Sequence, residues 1–392
     1  MDPDLSTLDS LLAETGTDAY CIDAAGDDSN QLYLSGFDAP DPFFTAYTGE
    51  SLALLVSGLE YGRARKESRA DAVARLAEYD HHERVEEYGE AEGAARTCAA
   101  FLADLDVASA LVPERFPVGL ADGLRGRDVD VSVDHGDAVG TARAVKTDEE
   151  VESVKRAQRA NEAAMRAAED LIRAADVDAD GTLVHGDEPL TSERVQEEIE
   201  VTLLRHGCAL DETIVACGAD AADPHDRGSG PLRANETVIV DVFPREKVSK
   251  YHADMTRTFV KGEASEEVRR RFDVTRRALE AAFDALEPGA TGADVHAAVC
   301  DLYEEEGYET LRSDPTTETG FIHSTGHGVG LDVHEAPGLN PRGGELKPGH
   351  VVTIEPGLYD PAVGGVRIED IAVVTEDGYE NFTDYPVELE LE

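Results

Sequence analysis

The C-terminal two thirds of the chain repeat themselves. PLRANETVIVD at 231–241 lies over ELKPGHVVTIE at 345–355 without a gap, so that Leu232 faces Leu346, Arg233 faces Lys347 and Asp241 faces Glu355. The next key carboxylate comes 13 residues on in the first copy, at Asp254, and 14 residues on in the second, at Glu369. Each copy follows two helical patterns. TDEE at 147–150 reads as a capping box, with Thr147 as N-cap and Glu150 closing it. Val151, Val154, Ala157, Ala164, Ala168 and Leu171 then form one apolar face. A second helix runs from about Thr191 to Arg205 and meets Gly207. Helical patterns return at 265–286 and 292–306, parted by Pro288-Gly289 and ended by Gly307. The strand pairs are 237–243 with 251–260, and 350–359 with 364–374. The expectation is a helix-helix-strand-strand unit used twice, as two half-sheets related by a pseudo-twofold, with one carboxylate on each of four strands.

Residues 1–140 carry a different pattern. YCIDA (20–24) and SLALLVSG (51–58) have strand character, and 91–105 and 118–126 have helical spacing, which predicts a separate, smaller α/β domain. The Gly- and Ala-containing stretch 135–147 reads as the linker to a second domain at 147–392. The overall fold class is therefore α+β. A net charge of −48 disfavours nucleic acid as a partner. The basic residues are 7 Lys against 28 Arg, and the acids are spread along the whole chain. That pattern fits a salt-loaded cytoplasm, where charge is screened within about 3 Å at 1 M salt. No apolar run is long enough to span a membrane. The acidic N-terminus MDPDLSTLDS does not read as a secretory signal. The five Cys are widely spaced and form no CxxC pair, as expected of reduced thiols without an assigned role.

Acids inside apolar strands are costly unless paired or metal-bound. With 83 Asp and Glu, any single acid is by default a solvated surface charge. Asp241, Asp254, Glu355 and Glu369 differ, because all four recur at matched repeat positions in apolar segments. Four such groups in one place would repel one another. Two divalent cations would remove the conflict, with an imidazole completing the set. HSTGHGVGLDVHE (323–335) offers His323, His327 and His334, in a Gly-rich stretch where backbone can approach a ligand. The other histidines at 81, 82, 135, 185, 206, 296 and 350 read as surface or structural. A hard, oxygen-rich site favours Mn2+, with Co2+ or Zn2+ as alternatives. Such a pair suits hydrolysis.

These residues carry a family resemblance. VIVDV, YHADMTRTF, HSTGHGVGLDVHE, TIEPGLY and GGVRIED resemble, in order, the five motifs of the pita-bread metallopeptidases. That family includes Xaa-Pro dipeptidase, Xaa-Pro aminopeptidase and methionine aminopeptidase. NQLYLSGF (30–37) and LLVSGLEYGRA (54–64) are similar to the creatinase/prolidase N-terminal domain, which methionine aminopeptidase lacks. The connection after Asp241, VDVFPREKVSKYHAD, is longer and more charged than the family's. The resemblance implies a pita-bread catalytic domain, and hydrolysis of the bond between an N-terminal residue and proline in short peptides by a metal-bridging hydroxide. It implies Asp241 as the bidentate ligand of one metal, Asp254 and Glu369 as bridging ligands, and His327 and Glu355 on the second metal. Glu355 would also take a proton from the water. His225 and His334 would stabilise the reacting centre, and Arg367 would hold the substrate or the site. Arg367 should share a strand face with Glu369 if that strand is regular. The resemblance further implies a homodimer. Two other readings are a hydrolase of the same fold with a different amide substrate, and a pita-bread binding module without catalysis.

Overall fold

The structure is a computed structural model that describes residues 3–392; the first two residues of the acidic N-terminal segment lie outside the described residues. The chain divides into two compact units, the first ending at Arg143 and the second spanning Ala144–Glu392. The boundary falls within the stretch 135–147, which holds a helix at Ala138–Ala144. Its small residues Ala138, Ala142 and Ala144 are buried and pack rather than flex.

The first unit is a six-stranded mixed sheet of β1 (Ala19–Ala24), β2 (Phe43–Tyr47), β3 (Leu52–Val56), β4 (Ala72–Arg75), β5 (Ser109–Pro113) and β6 (Asp130–Asp134), in the order β4-β3-β2-β1-β5-β6. Every residue of β2 and β3 is buried, as in strands covered on both faces. Helices α1 (Glu90–Asp104) and α2 (Val118–Arg125) supply one cover, with Phe101 meeting Phe44 edge-on at 6.1 Å.

The second unit uses the same element order twice. The first half has α3 (Asp148–Arg173) and α4 (Ser192–Arg205), then a sheet ordered β7 (Ile214–Cys217), β8 (Thr237–Val242), β9 (Met255–Lys261) and the C-terminal strand Glu390–Leu391. The second half has α5 (Glu266–Asp284) and α6 (Gly292–Glu305). Its sheet contains β10 (Gly326–Gly328), β11 (Glu335–Leu339), β12 (Val351–Ile354) and β15 (Asp370–Thr375). A separate hairpin, β13 (Gly357–Asp360) with β14 (Gly364–Arg367), lies between β12 and β15 in sequence. The α3 capping box forms as expected, with Thr147 and Glu150 bonding each other's backbone. A second box caps α6 through Thr291 and Asp294.

Strand alternation decides where each acid points. Val238, Val240 and Val242 of β8 enter the core beneath α3 and α4, so Ile239 and Asp241 face the other way. Val352 and Ile354 of β12 enter the core beneath α5 and α6, and Glu355 follows with the opposite parity. Met255 and Phe259 of β9 are core residues, which leaves Asp254, Thr256 and Thr258 on the opposite face.

The four-strand expectation needs a correction. Only Asp241 lies within a strand; Asp254 immediately precedes β9. Glu355 and Glu369 occupy breaks, because the two long strands expected in the second half are each interrupted. Pro356 has no N–H to continue the first. At these breaks the backbone is held from elsewhere: Glu355 N–H donates to Thr325 O (2.8 Å) and Glu369 N–H to Thr256 O (3.0 Å). The second contact crosses between the halves, so the seam itself fixes Glu369. The halves also differ in register. Asp241 sits opposite Thr256, whereas Ile354 opposite Asp370 places Glu355 opposite Glu369. Among the described residues no helix is long and apolar enough to cross a membrane.

Candidate active site

A cavity of about 940 Å3 opens on this seam. Its wall includes all eight residues singled out in the sequence: His225, Asp241, Asp254, His327, His334, Glu355, Arg367 and Glu369. Asp254, His327 and Glu369 each bring one ligand-type atom within 4.8 Å of the other two. His327 Nε2 lies 3.4 Å from Glu355 Oε1 and 3.8 Å from Asp254 Oδ2. Its Nδ1 is 3.1 Å from the Gly328 carbonyl, so that nitrogen carries the proton and Nε2 presents its lone pair to the acids. Gly326 and Gly328 flank it where neighbouring backbone crowds in. A Cβ at either would come within 2.0 Å of Thr353 O or 2.2 Å of Ala336 O. Neighbouring backbone needs those glycines.

The electrostatics are those of a site short of positive charge. Burial, and then the neighbouring Glu369, Asp241 and Glu355, push the Asp254 carboxyl well above the usual range. Burial, followed by Glu355 and Asp241, does the same to Glu369. Glu355 is pushed up to about 7, chiefly by burial. One guanidinium offsets part of this. Arg367 donates from Nη2 to Asp241 Oδ2 (2.7 Å) and from Nη1 to the Tyr359 hydroxyl (2.9 Å) and Pro224 O (3.3 Å). Arg367 ends β14, so it does not share a regular strand with Glu369, yet both line the cavity. The Asp241 Oδ1 atom is buried with no hydrogen-bond partner.

This donor set fits divalent cations. Three buried carboxyls disfavour ionisation, a fourth leaves an oxygen unpartnered, and an imidazole nitrogen points among them. Bound cations supply what each lacks.

The histidines differ in setting. His225 is exposed, on the loop whose Pro224 carbonyl Arg367 holds. The His334 ring stands 4.2 Å from the His327 ring, near edge-on. Burial pushes both His327 and His334 below the usual range. Sequence reasoning missed the link between one wall residue, His323, and Tyr359. His323 was offered as a metal donor, but its Nε2 instead meets the Tyr359 hydroxyl at 2.9 Å, and burial pushes it down to about 3. Tyr359 links His323 to Arg367, with burial raising its hydroxyl to about 12. The signal for Tyr359 was present in TIEPGLY, as a polar aromatic two residues past a glycine at a strand end. Four cysteines are buried, Cys217 is half-buried, and all five are free thiols.

Comparisons with known proteins agree with this geometry. Residues 152–376 match the model of metallopeptidase family M24. The chain is 28% identical over 365 residues to an Xaa-Pro dipeptidase of Pyrococcus furiosus, covering 92% of each chain. Among solved structures it resembles an Xaa-Pro dipeptidase from Bacillus anthracis, with a TM-score of 0.81, 25% identity and 98% of both chains covered. It also resembles an X-Pro aminopeptidase from Thermotoga maritima, with a TM-score of 0.78, 25% identity, and 96% and 97% covered. The family model spans more than half of the chain and takes in the whole acid cluster: this chain is a peptidase of metallopeptidase family M24, a family that works with divalent metal, built on the pita-bread fold with an α/β N-terminal domain ahead of it.

Proposed function

We propose that the chain is a dinuclear metal-dependent peptidase that hydrolyses the bond between an N-terminal residue and proline. The observation that carries this is the buried acid cluster, in which Asp254 and Glu369 resist ionisation by burial and by the neighbouring acids yet converge with His327. The named activities of the similar dipeptidases and aminopeptidase support the Xaa-Pro part. Asp241, Asp254, His327, Glu355 and Glu369 would hold two divalent cations. Their hard oxygen donors favour Mn2+, with Co2+ or Zn2+ as alternatives. Held there, two such ions supply Lewis acidity for the scissile carbonyl and make water acidic enough to attack at neutral pH.

The chain's own groups do the rest. Glu355 Oε1, which accepts from Thr353 Oγ1 at 3.3 Å, is placed to take a proton from the attacking water. Arg367 fixes the Asp241 carboxylate by its 2.7 Å bond, and with it the cavity wall. His225 and His334 stabilise the charge that develops on the carbonyl oxygen and support proton transfer to the leaving proline nitrogen. Proline's tertiary amide has no N–H to satisfy, so a shaped wall accepts it without a polar partner.

Residues 1–140 form a creatinase/prolidase-like domain and 147–392 the catalytic domain, in a homodimer within a high-salt cytoplasm. The −48 charge supports the salt reading. Metal analysis of dialysed protein, with hydrolysis of Xaa-Pro peptides and non-proline amides in high KCl with added Mn2+, tests the whole reading. Activity without metal, or preference for non-proline amides, refutes it.

A further inference from the structure

The catalytic cavity does not end at its histidines. A second cavity of about 560 Å3 shares His323 and Ser324 with it. The end of β11 and the residues after it also run along both: Gly338 and Asn340 line the first, and Pro341 the second. Two chain segments therefore border the two spaces in succession, as the sides of one groove do. The second space has an apolar floor. Ala293 and Ala297 are one helical turn apart on α6 and only partly buried, and Leu311 stands beside them, 41% exposed. An exposed leucine next to two open alanines is a surface that gains from being covered.

Charge in the first cavity bears on what can stop there. A free Xaa-Pro dipeptide would place its carboxylate on the proline itself, beside four acids. A buried carboxylate needs a cationic or donor partner. Among the described residues lining the first cavity there is no lysine, both guanidinium groups are committed, and of the four imidazoles His323 meets Tyr359 while His225, His327 and His334 serve the metal or the reacting centre in the proposed reaction. Arg367 is buried and bonded to Asp241, Tyr359, Thr256 and Pro224. Arg227 is paired with Glu212. The second cavity has one guanidinium, Arg312, already paired with Asp301 (2.6 Å) and Glu304 (2.7 Å).

We propose that the preferred substrates are peptides of three or more residues, whose chain beyond proline leaves over His323–Ser324 into the second cavity and rests on Ala293, Ala297 and Leu311. This rests on the Xaa-Pro reading and adds to it the length of the substrate and the path of its C-terminal part. In such a substrate the proline carbonyl is an uncharged amide, and the terminal carboxylate lies beyond the acid cluster.

The test compares Ala-Pro, Ala-Pro-amide and Ala-Pro-Ala-Ala on the full chain at saturating Mn2+. The expected kcat/KM is higher for Ala-Pro-amide and Ala-Pro-Ala-Ala, which carry no charge on the proline carbonyl, than for Ala-Pro, by about tenfold or more, the scale of one unpartnered charged group. Ala297→Trp should then lower kcat/KM for Ala-Pro-Ala-Ala by about fivefold while leaving Ala-Pro-amide unchanged, since that ligand ends before the second cavity. Leu311→Asp, at a more exposed position, gives the same contrast if the tryptophan variant folds poorly. Ala-Pro cleaved as well as or better than the other two overturns the proposal while leaving the Xaa-Pro reading intact. Longer peptides that are preferred yet indifferent to both substitutions also overturn it. Cleavage of none of the three, with hydrolysis of Ala-Ala-Ala, refutes the Xaa-Pro reading instead.

Discussion

Glu369 and Asp370 are neighbours in sequence and both are buried, yet they live on opposite faces of the second-half sheet under opposite conditions. Asp370 meets Arg257 Nη2 at 2.8 Å and accepts a second bond from Asn381 Nδ2 at 2.8 Å. Arg257 is itself saturated, donating to the carbonyls of Thr256, Glu369, Tyr385 and Pro386. Charge there is balanced and every donor is used. Glu369 turns the other way, toward Asp254, Asp241 and Glu355, where Arg367 is the chief cation and one carboxylate oxygen has no partner. Burial of an acid therefore does not mark a functional site. What marks it is burial without a compensating partner, because only that arrangement leaves work for a bound cation.

The strongest way to break this contrast is to remove one acid from the unbalanced face. Asp254→Asn should lower kcat/KM on the order of 10^4-fold, the scale on which a catalytic constellation loses one member. It should also lower metal occupancy. The metal-free protein should melt no lower than the parent, because a buried carboxyl that resists ionisation is gone. Differential scanning calorimetry without metal, beside metal analysis and kinetics, checks all three. Full activity in Asp254→Asn would sink the site assignment.

The balanced face predicts the reverse. Arg257→Met leaves Asp370 buried without its cation and should cost about 3–5 kcal/mol of stability. The loss should be the same with and without metal, which chemical denaturation in both states measures. A stability loss that vanished on adding Mn2+ would mean the two faces are one electrostatic unit.

Titration separates the faces by sign. In the metal-free protein the raised carboxyls of Asp254, Glu355 and Glu369 keep protons that the unfolded chain releases near pH 3.8 for the aspartate and 4.5 for the glutamates. Their contribution to stability is full below those values and is lost as pH rises, through about 7 for Glu355. Cations remove the penalty. The melting temperature gained on adding Mn2+ should therefore grow between pH 5 and pH 8, as thermal scans across that range would show. A gain that is flat or falls with pH contradicts the burial of these acids.

The sequence allowed much of this to be read, for identifiable reasons. Apolar alternation around Asp241 and the matched position of Glu355 survive in one dimension, as do capping at Thr147 and the Gly207 and Gly307 helix ends. The choice between Glu369 and Asp370 did not follow from the apolar pattern, since RIED presents two acids side by side. Their roles are divided by Arg257, which reaches across from the other half. An arginine inside MTRTFV was itself a clue, because a guanidinium in an apolar strand needs a buried acid. The strand breaks at Glu355 and Glu369 were hidden too. Pro356 announced the first, but the second depends on the Thr256 carbonyl drawing the Glu369 N–H out of register. Likewise the glycines beside His327 suggested a close approach, but not that Thr353 O and Ala336 O are the crowding atoms, since strand pairing decides that.

The smallest expected effect is the most discriminating. Thr256 Oγ1 donates to Glu369 Oε2 at 2.7 Å on the unbalanced face, and Asn381 donates to Asp370 on the balanced one. Each is a neutral donor to a buried acid, so the two deletions are chemically alike. Thr256→Val should weaken metal binding about tenfold, as loss of a bond that orients a ligand does, and should leave kcat at saturating Mn2+ close to the parent value. Asn381→Ala should cost about 1–2 kcal/mol of stability and leave metal affinity alone. Metal titration by calorimetry and urea unfolding, run on both variants, place each on one axis. If both variants moved along the same axis, the difference between the faces would lie in burial alone and not in the balance of charge.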